Sequence, residues 1–185
     1  MNATVTLIRS NFNLHDMDTS IVTGLIQIED LREFLKKLND IYSANNITIQ
    51  ALNADMIAGE RHILFAVKKA INAMKTHTNV ANDLGVEIMR YAAGERQIEK
   101  AFMMGLHDGE NRVLFVLVGE GQSLLLASNA LLEIIDEKSL IDYSPSKRES
   151  IISQFNITEF EIEAVGEDKI PELVIERVAL VDVLK

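Results

Sequence analysis

Residues 112–118 read RVLFVLV, six apolar side chains in succession after one arginine. The run has strand length and no alternation, so it predicts a β-strand buried on both faces. A fold built around such a strand needs neighbouring strands and covering helices, and the rest of the chain supplies candidates for both. Residues 4–8 (TVTLI), 21–28 (IVTGLIQI) and 47–53 (ITIQALN) read as short strands between polar turns. Leu31, Phe34, Leu35, Leu38, Ile41 and Tyr42 recur at three- and four-residue steps and predict a helix over 30–44, broken by Asn45-Asn46. A second helix is predicted over 59–75, with Ile63, Leu64, Val67, Ala70, Ile71 and Met74 on one face. Asn82 or Asp83 caps a third, which Gly94 stops, and a fourth follows from Arg96 to about Leu106. Residues 121–136 predict a long apolar helix, and Pro145 opens a more polar one to about Phe155. A short acidic segment, 158–165, precedes a final element from Pro171 to Leu184. The expected fold class is α+β: a small, mostly antiparallel sheet with packed helices and a helical block in the middle of the chain, about 59–106.

Length and composition bound the function. With 185 residues, two prolines and no low-complexity linker, a single domain over 1–185 is expected. The absence of cysteine excludes disulfides, thiolate zinc sites and cysteine nucleophiles. No apolar stretch reaches membrane-spanning length, and the first residues lack a basic start followed by an apolar run. No membrane association is therefore expected, and the cytoplasm is the default location. The formal net charge of −10 argues against wrapping long nucleic acid. That charge is uneven. Residues 60–104 carry seven Lys or Arg against five Asp or Glu, while residues 133–185 carry six against thirteen. The middle tolerates a phosphate, and the tail prefers a basic partner.

Catalytic motifs are weak. Gly119-Glu120-Gly121-Gln122-Ser123-Leu124 joins the buried strand to a helix, as a phosphate loop would. Leu124 stands at the third glycine position and Glu120 would repel a pyrophosphate, so a tight strand-to-helix turn is the better reading. A nucleotide-binding enzyme using this turn stays as the alternative. None of His15, His62, His77 and His107 pairs with another at metal-ligand spacing on a helix. His15 near Asp16 and Asp18, and His107 beside Asp108, are read as surface histidines. His62, at the start of an apolar helix, is read as partly buried and bonded to backbone. No nucleophile, base and orienting group are legible together, and no cofactor or metal is expected.

The tail, KIPELVIERVALVDVLK, carries two apolar groups. Ile170, Leu173, Val174, Val178 and Val181 form one stripe, and Ile175, Ala179 and Val183 lie around the helix from it. Two faces suggest burial against a second body. Packing in the chain's own core, or a strand, is the equal alternative.

Three stretches carry a resemblance: NADMIAGERHILFA (53–66), EIMRYAAGERQI (87–98) and AVGEDKIPELVIERVALVDVL (164–184). Together they resemble the CGI-type accessory subunits of the KEOPS complex, which bind the small kinase PRPK and its archaeal counterparts. The similarity covers most of the chain, least before Ile47. Ala93 stands where the family more often shows a serine, which removes a hydroxyl there. The resemblance implies a non-catalytic subunit of the machinery that installs threonylcarbamoyladenosine on transfer RNA. It implies a kinase partner, an indirect link to the threonylcarbamoyl transferase, and contact with the 3′ CCA end of transfer RNA. On that reading the kinase meets the partner-binding tail, about 157–185, through Leu173, Val174, Ile175, Arg177, Val178 and Val181. A chain ending at Gly166 is expected to lose the kinase and stay folded. The RNA end is expected where residues 94–98 face residues 56–62. Gly94 turns the chain, Arg96 pairs with a phosphate and Gln97 reads a base edge. Met56, Ile57 and Ile98 form walls, His62 lies within the site, and Lys68 and Lys69 stand nearby. The alternative for Arg96 and Gln97 is a capping role inside the helical block.

Overall fold

A computed structural model describes residues 17–183. The strand predicted over 4–8 and the His15-Asp16 pair lie outside the described residues. The described residues form two compact units, 17–53 with 106–140 and 54–105 with 141–183.

The first unit holds an antiparallel sheet. Strand β1 spans Asp18–Ile28, β2 Thr48–Asn53 and β3 Gly109–Gly119, and the two-residue β4 spans Asp136–Glu137. The order is β2-β3-β1-β4, with every pairing antiparallel. β3 contains the apolar run and sits between β1 and β2, where Phe115 pairs with Val22 on one side and Ala51 on the other. Val113 to Val118 are buried on both faces of the strand, as their unbroken apolarity requires. Helices α1 (Leu31–Asn45) and α5 (Gly121–Leu132) send Phe34, Leu38, Leu124, Ala127 and Leu131 into the cluster formed by Val22, Val113, Phe115 and Leu117. The Asp30 carboxylate accepts from the Glu33 amide and starts α1, and Asn46 ends it in a left-handed conformation.

The expected helix over 121–136 is cut to twelve residues, because Asp136 and Glu137 join the sheet edge beside Leu25 and Gly24. The Gly119–Gly121 turn has a packing explanation. A Cβ at Gly119 would come within 2.5 Å of the Ile47 side chain, so only glycine lets β3 pass β2 there.

The second unit is helical. It contains α2 (Glu60–Thr76), α3 (Leu84–Ala92), α4 (Ile98–Ala101), α6 (Arg148–Phe155), α7 (Glu159–Val165) and α8 (Ile170–Leu180), with 3-10 turns over Ala54–Met56, Phe102–Met104, Pro145–Lys147 and Glu167–Lys169. Asp83 is the N-cap of α3, through its bond from the Val86 amide. Thr158 and Glu161 form a reciprocal capping box on α7. The fourth helix, expected to reach Leu106, has only four residues. Its continuation is the 3-10 turn that Gly105 ends. The tail is helical, so its alternative reading as a strand falls.

Candidate functional site

The start of α2 meets the end of α3 through His62 and the Ala92 carbonyl, and the contact is an inward one. Ile57 is fully buried and His62 is 1% exposed. His62 Nδ1 accepts from the Ala58 amide at 3.1 Å, and Nε2 lies 2.9 Å from the Ala92 carbonyl. An amide only donates and a carbonyl only accepts, so the ring is neutral with its proton on Nε2. The ring stands nearly perpendicular to that of Phe155, with centroids 5.4 Å apart. Both ring nitrogens are therefore spent on backbone. His62 and Ile57 hold the site together from inside and do not face RNA, which corrects the expectation for both.

Burial pushes the His62 pKa down to about 4, with the Ala92 bond opposing and the nearby Lys147 charge adding. Between pH 6.5, the ordinary value, and pH 4 the unfolded chain takes a proton that the folded chain refuses. Stability is thus full above about pH 6.5 and is expected to fall by about 3 kcal/mol as the pH drops to about 4. Urea unfolding at pH 7 and pH 4.5 checks this, with His62→Gln as the variant that flattens the difference. A parent whose stability is unchanged across this interval, relative to that variant, overturns it.

Gly94 is also structural. Its amide bonds the Tyr91 carbonyl, the Glu95 amide bonds the Arg90 carbonyl, and its φ is +67°, the Schellman ending of a helix. A Cβ there would come within 3.2 Å of Phe155, so the left-handed turn and the close approach both ask for glycine. The Gln154 side chain donates to the Ala93 carbonyl at 3.0 Å, which completes the cap.

Beyond Gly94 the chain turns outward. Arg96 and Gln97 are exposed, and Ile98, like Met56, is half-buried. With α4 reduced to one turn, a helix-terminus attraction for phosphate has little dipole behind it. Sequence reading missed the two neighbours that change the character of this surface. Phe102 is 56% exposed and Met103 71%, beside exposed Lys100. The expected fourth helix runs through both residues; the 3-10 turn found in its place leaves them exposed. Lys68 is exposed on α2. Lys69 is half-buried and pairs with Asp182 at 2.7 Å.

That ion pair belongs to a network behind the surface. Glu87 is fully buried and accepts from the Val80 and Ala81 amides and from Arg90 Nε and Nη2. Arg90, 2% exposed, also donates from Nη1 to the Glu95 carbonyl at 3.3 Å and lies 4.2 Å from the Tyr91 ring centroid. Tyr91 donates its hydroxyl to Asp182 at 2.8 Å. Burial and that bond push Tyr91 up to about 12. Burial works against the Asp182 charge, yet bonds from Lys69 and Tyr91 outweigh it and hold the carboxyl below its usual range.

The tail residues divide. Leu173, Val174, Val178 and Val181 are buried in the helical unit, so they do not form a docking stripe, correcting the expectation for that group. Ile175 and Ala179 stay half-buried and Val183 is 67% exposed. Arg177 pairs with Glu161 on α7 and donates to the Phe155 carbonyl at 3.2 Å. The Glu161 carboxyl is held down to about 2 by the Arg177 bond and then by Thr158. Arg177 therefore positions α7. Of the two apolar groups, the second is the one left partly exposed.

Among the described residues, no group of three or more His, Cys, Asp and Glu side chains is placed to hold a metal, and no helix is long and apolar enough to cross a membrane. What the molecule presents is a small α+β scaffold with exposed apolar side chains set among charges, the make-up of an interaction surface. A sequence model of the family described as "Kinase binding protein CGI-121" matches residues 11–182, and the chain belongs to that family. It is also similar to "Regulatory protein Cgi121" of Methanocaldococcus jannaschii, at 28% identity over 148 residues, covering 80% of this chain and 91% of the relative.

Proposed function

We propose that this chain is a non-catalytic regulatory subunit that binds a small KEOPS-type kinase and receives the 3′ CCA end of transfer RNA, supporting threonylcarbamoyladenosine modification. The family match over residues 11–182 carries the kinase half of this reading. The tail contributes what it leaves exposed, Ile175, Ala179 and Val183, on a helix flanked by Glu172, Glu176 and Asp182. These acids steer it toward a basic lobe. Co-purification with the kinase, at equal stoichiometry, is the test. A chain that stays monomeric beside active kinase overturns it.

The exposed cluster of Arg96, Gln97, Lys100, Phe102 and Met103 supports the RNA half. A short single-stranded end needs stacking surfaces and one or two cations, which an acidic protein can supply locally. Phe102 gives the stacking face and Arg96 the phosphate contact. Arg96→Ala and Phe102→Ala are each expected to weaken transfer RNA binding by roughly 1–3 kcal/mol, with melting temperatures close to the parent. Removing the CCA end from the RNA should cost the parent more than either variant. A fall in melting temperature with normal RNA binding by the folded fraction would make Arg96 a structural residue. The nucleotide-binding alternative for the Gly119–Gly121 turn is tested by titrating the isolated chain with nucleotide, where no binding is expected.

A further inference from the structure

Phe160 is the most exposed large apolar side chain among the described residues, at 83%. An aromatic ring in water is unremarkable on a frayed segment, and α7 is nothing of the kind. Its first turn is closed by the Thr158–Glu161 capping box, Ile162 is buried beneath it, and Glu161 is fastened to Arg177 of α8. Arg148 of α6 then grips both ends. It pairs with Glu159 at 3.0 Å at the start of α7 and with Glu167 at 2.7 Å just past its end. The fold thus holds a seven-residue helix rigid from below and displays Phe160 on its outer side, with exposed Ala164 one turn on and Val165 46% exposed. Rigid aromatic side chains presented in advance are what an interface anchor requires, because little ordering entropy remains to be lost on binding.

The surroundings choose the occupant. Glu159 and Glu163 on the same helix, and Glu167 and Asp168 in the turn that follows it, are all exposed. Arg148 and Lys169 answer only part of that charge. Phosphate backbones and anionic lipid surfaces are repelled by such a collar. A protein surface with cationic groups around an apolar pocket is attracted. Resting on the kinase-binding reading above, we infer that Phe160, in its acidic collar on α7, is the principal anchor for the kinase, with the half-buried Ile175 and Ala179 of α8 as flanking contacts. Arg177 and Arg148 are positioning residues that keep the anchor in place.

The chain has no cysteine, so Phe160→Cys labelled with an environment-sensitive dye reports on this one position, and Leu126→Cys on an exposed site in the sheet-containing unit serves as control. Adding kinase to the full-length labelled chain is expected to shift emission to the blue at position 160 and leave position 126 unchanged. Phe160→Ala should weaken kinase binding by roughly 30-fold or more, the scale of an aromatic hot spot. Glu163→Lys should weaken it less and reduce its dependence on salt. Both should melt like the parent. If Phe160→Ala binds within about threefold of the parent while Ile175→Asp abolishes binding, the anchor is on α8 and the inference is overturned with the kinase reading intact. A blue shift on raising the concentration of the labelled chain alone makes the occupant a second copy and also overturns it. A parent chain that never binds kinase removes the reading on which the inference rests.

Discussion

A chain ending at Gly166 is expected to lose the fold of its helical unit. Ile170, Leu173, Val174, Val178 and Val181 are all buried there. Each fully buried aliphatic side chain contributes about 1.5–3 kcal/mol, so five of them contribute about 8–15 kcal/mol, comparable with the whole stability of a typical domain. The truncation also deletes Arg177 and Asp182, which tie α8 to α7 and to α2 and α3. Circular dichroism should show lost helix, and protease should cut within residues 54–105. A truncated chain with native helicity and melting would show that the burial of α8 is dispensable. The sequence-based expectation of a detachable tail fails for this reason, and kinase binding has to be tested by point substitutions.

Removing the Glu87 carboxylate is the second severe change. Glu87→Ala leaves the Arg90 guanidinium buried without its main counter-charge and frees the Val80 and Ala81 amides of an acceptor. Breaking one side of a buried pair costs about 3–5 kcal/mol. Replacing both members with apolar residues of similar volume, Glu87→Leu with Arg90→Met, should recover part of that loss, although the two amides stay unsatisfied. Urea midpoints of the parent, the single and the double variants measure the difference. A single variant within about 1 kcal/mol of the parent would mean the pair is solvated and the low exposure misleading.

Much of the framework was legible because it rests on periodicity and local chemistry. Six apolar residues in a row found the central strand, and Asp30, Asp83 and Gly94 marked helix ends at the residues where they occur. Strand order and register were not legible, since β1 pairs with residues some ninety positions away. β4 consists of two acidic residues with no strand signal, and its pairing is set by position beside β1. At the candidate site the approach of His62 to the end of α3, at the Ala92 carbonyl, is an inward contact that residue patterns alone did not orient. His62 was legible as a histidine bonded to backbone, and both of its ring nitrogens are; the depth of its burial was not. The exposure of Phe102 and Met103 was not legible, because it follows from a helix only one turn long. The Thr158-x-x-Glu161 signal for α7 was in plain view and went unused, and with it Phe160.

The interleaving of the two units sets an order of events for a chain leaving the ribosome. The sheet cannot close until β3 has emerged, and the helical unit waits for α8, some sixty residues later. Until then α2 and α3 carry an apolar face with no lid. Such a chain folds late and by distant contacts, a slow route that leaves sticky surface in view. A nascent chain stopped before α8 is therefore expected to expose those helices and to be prone to aggregation.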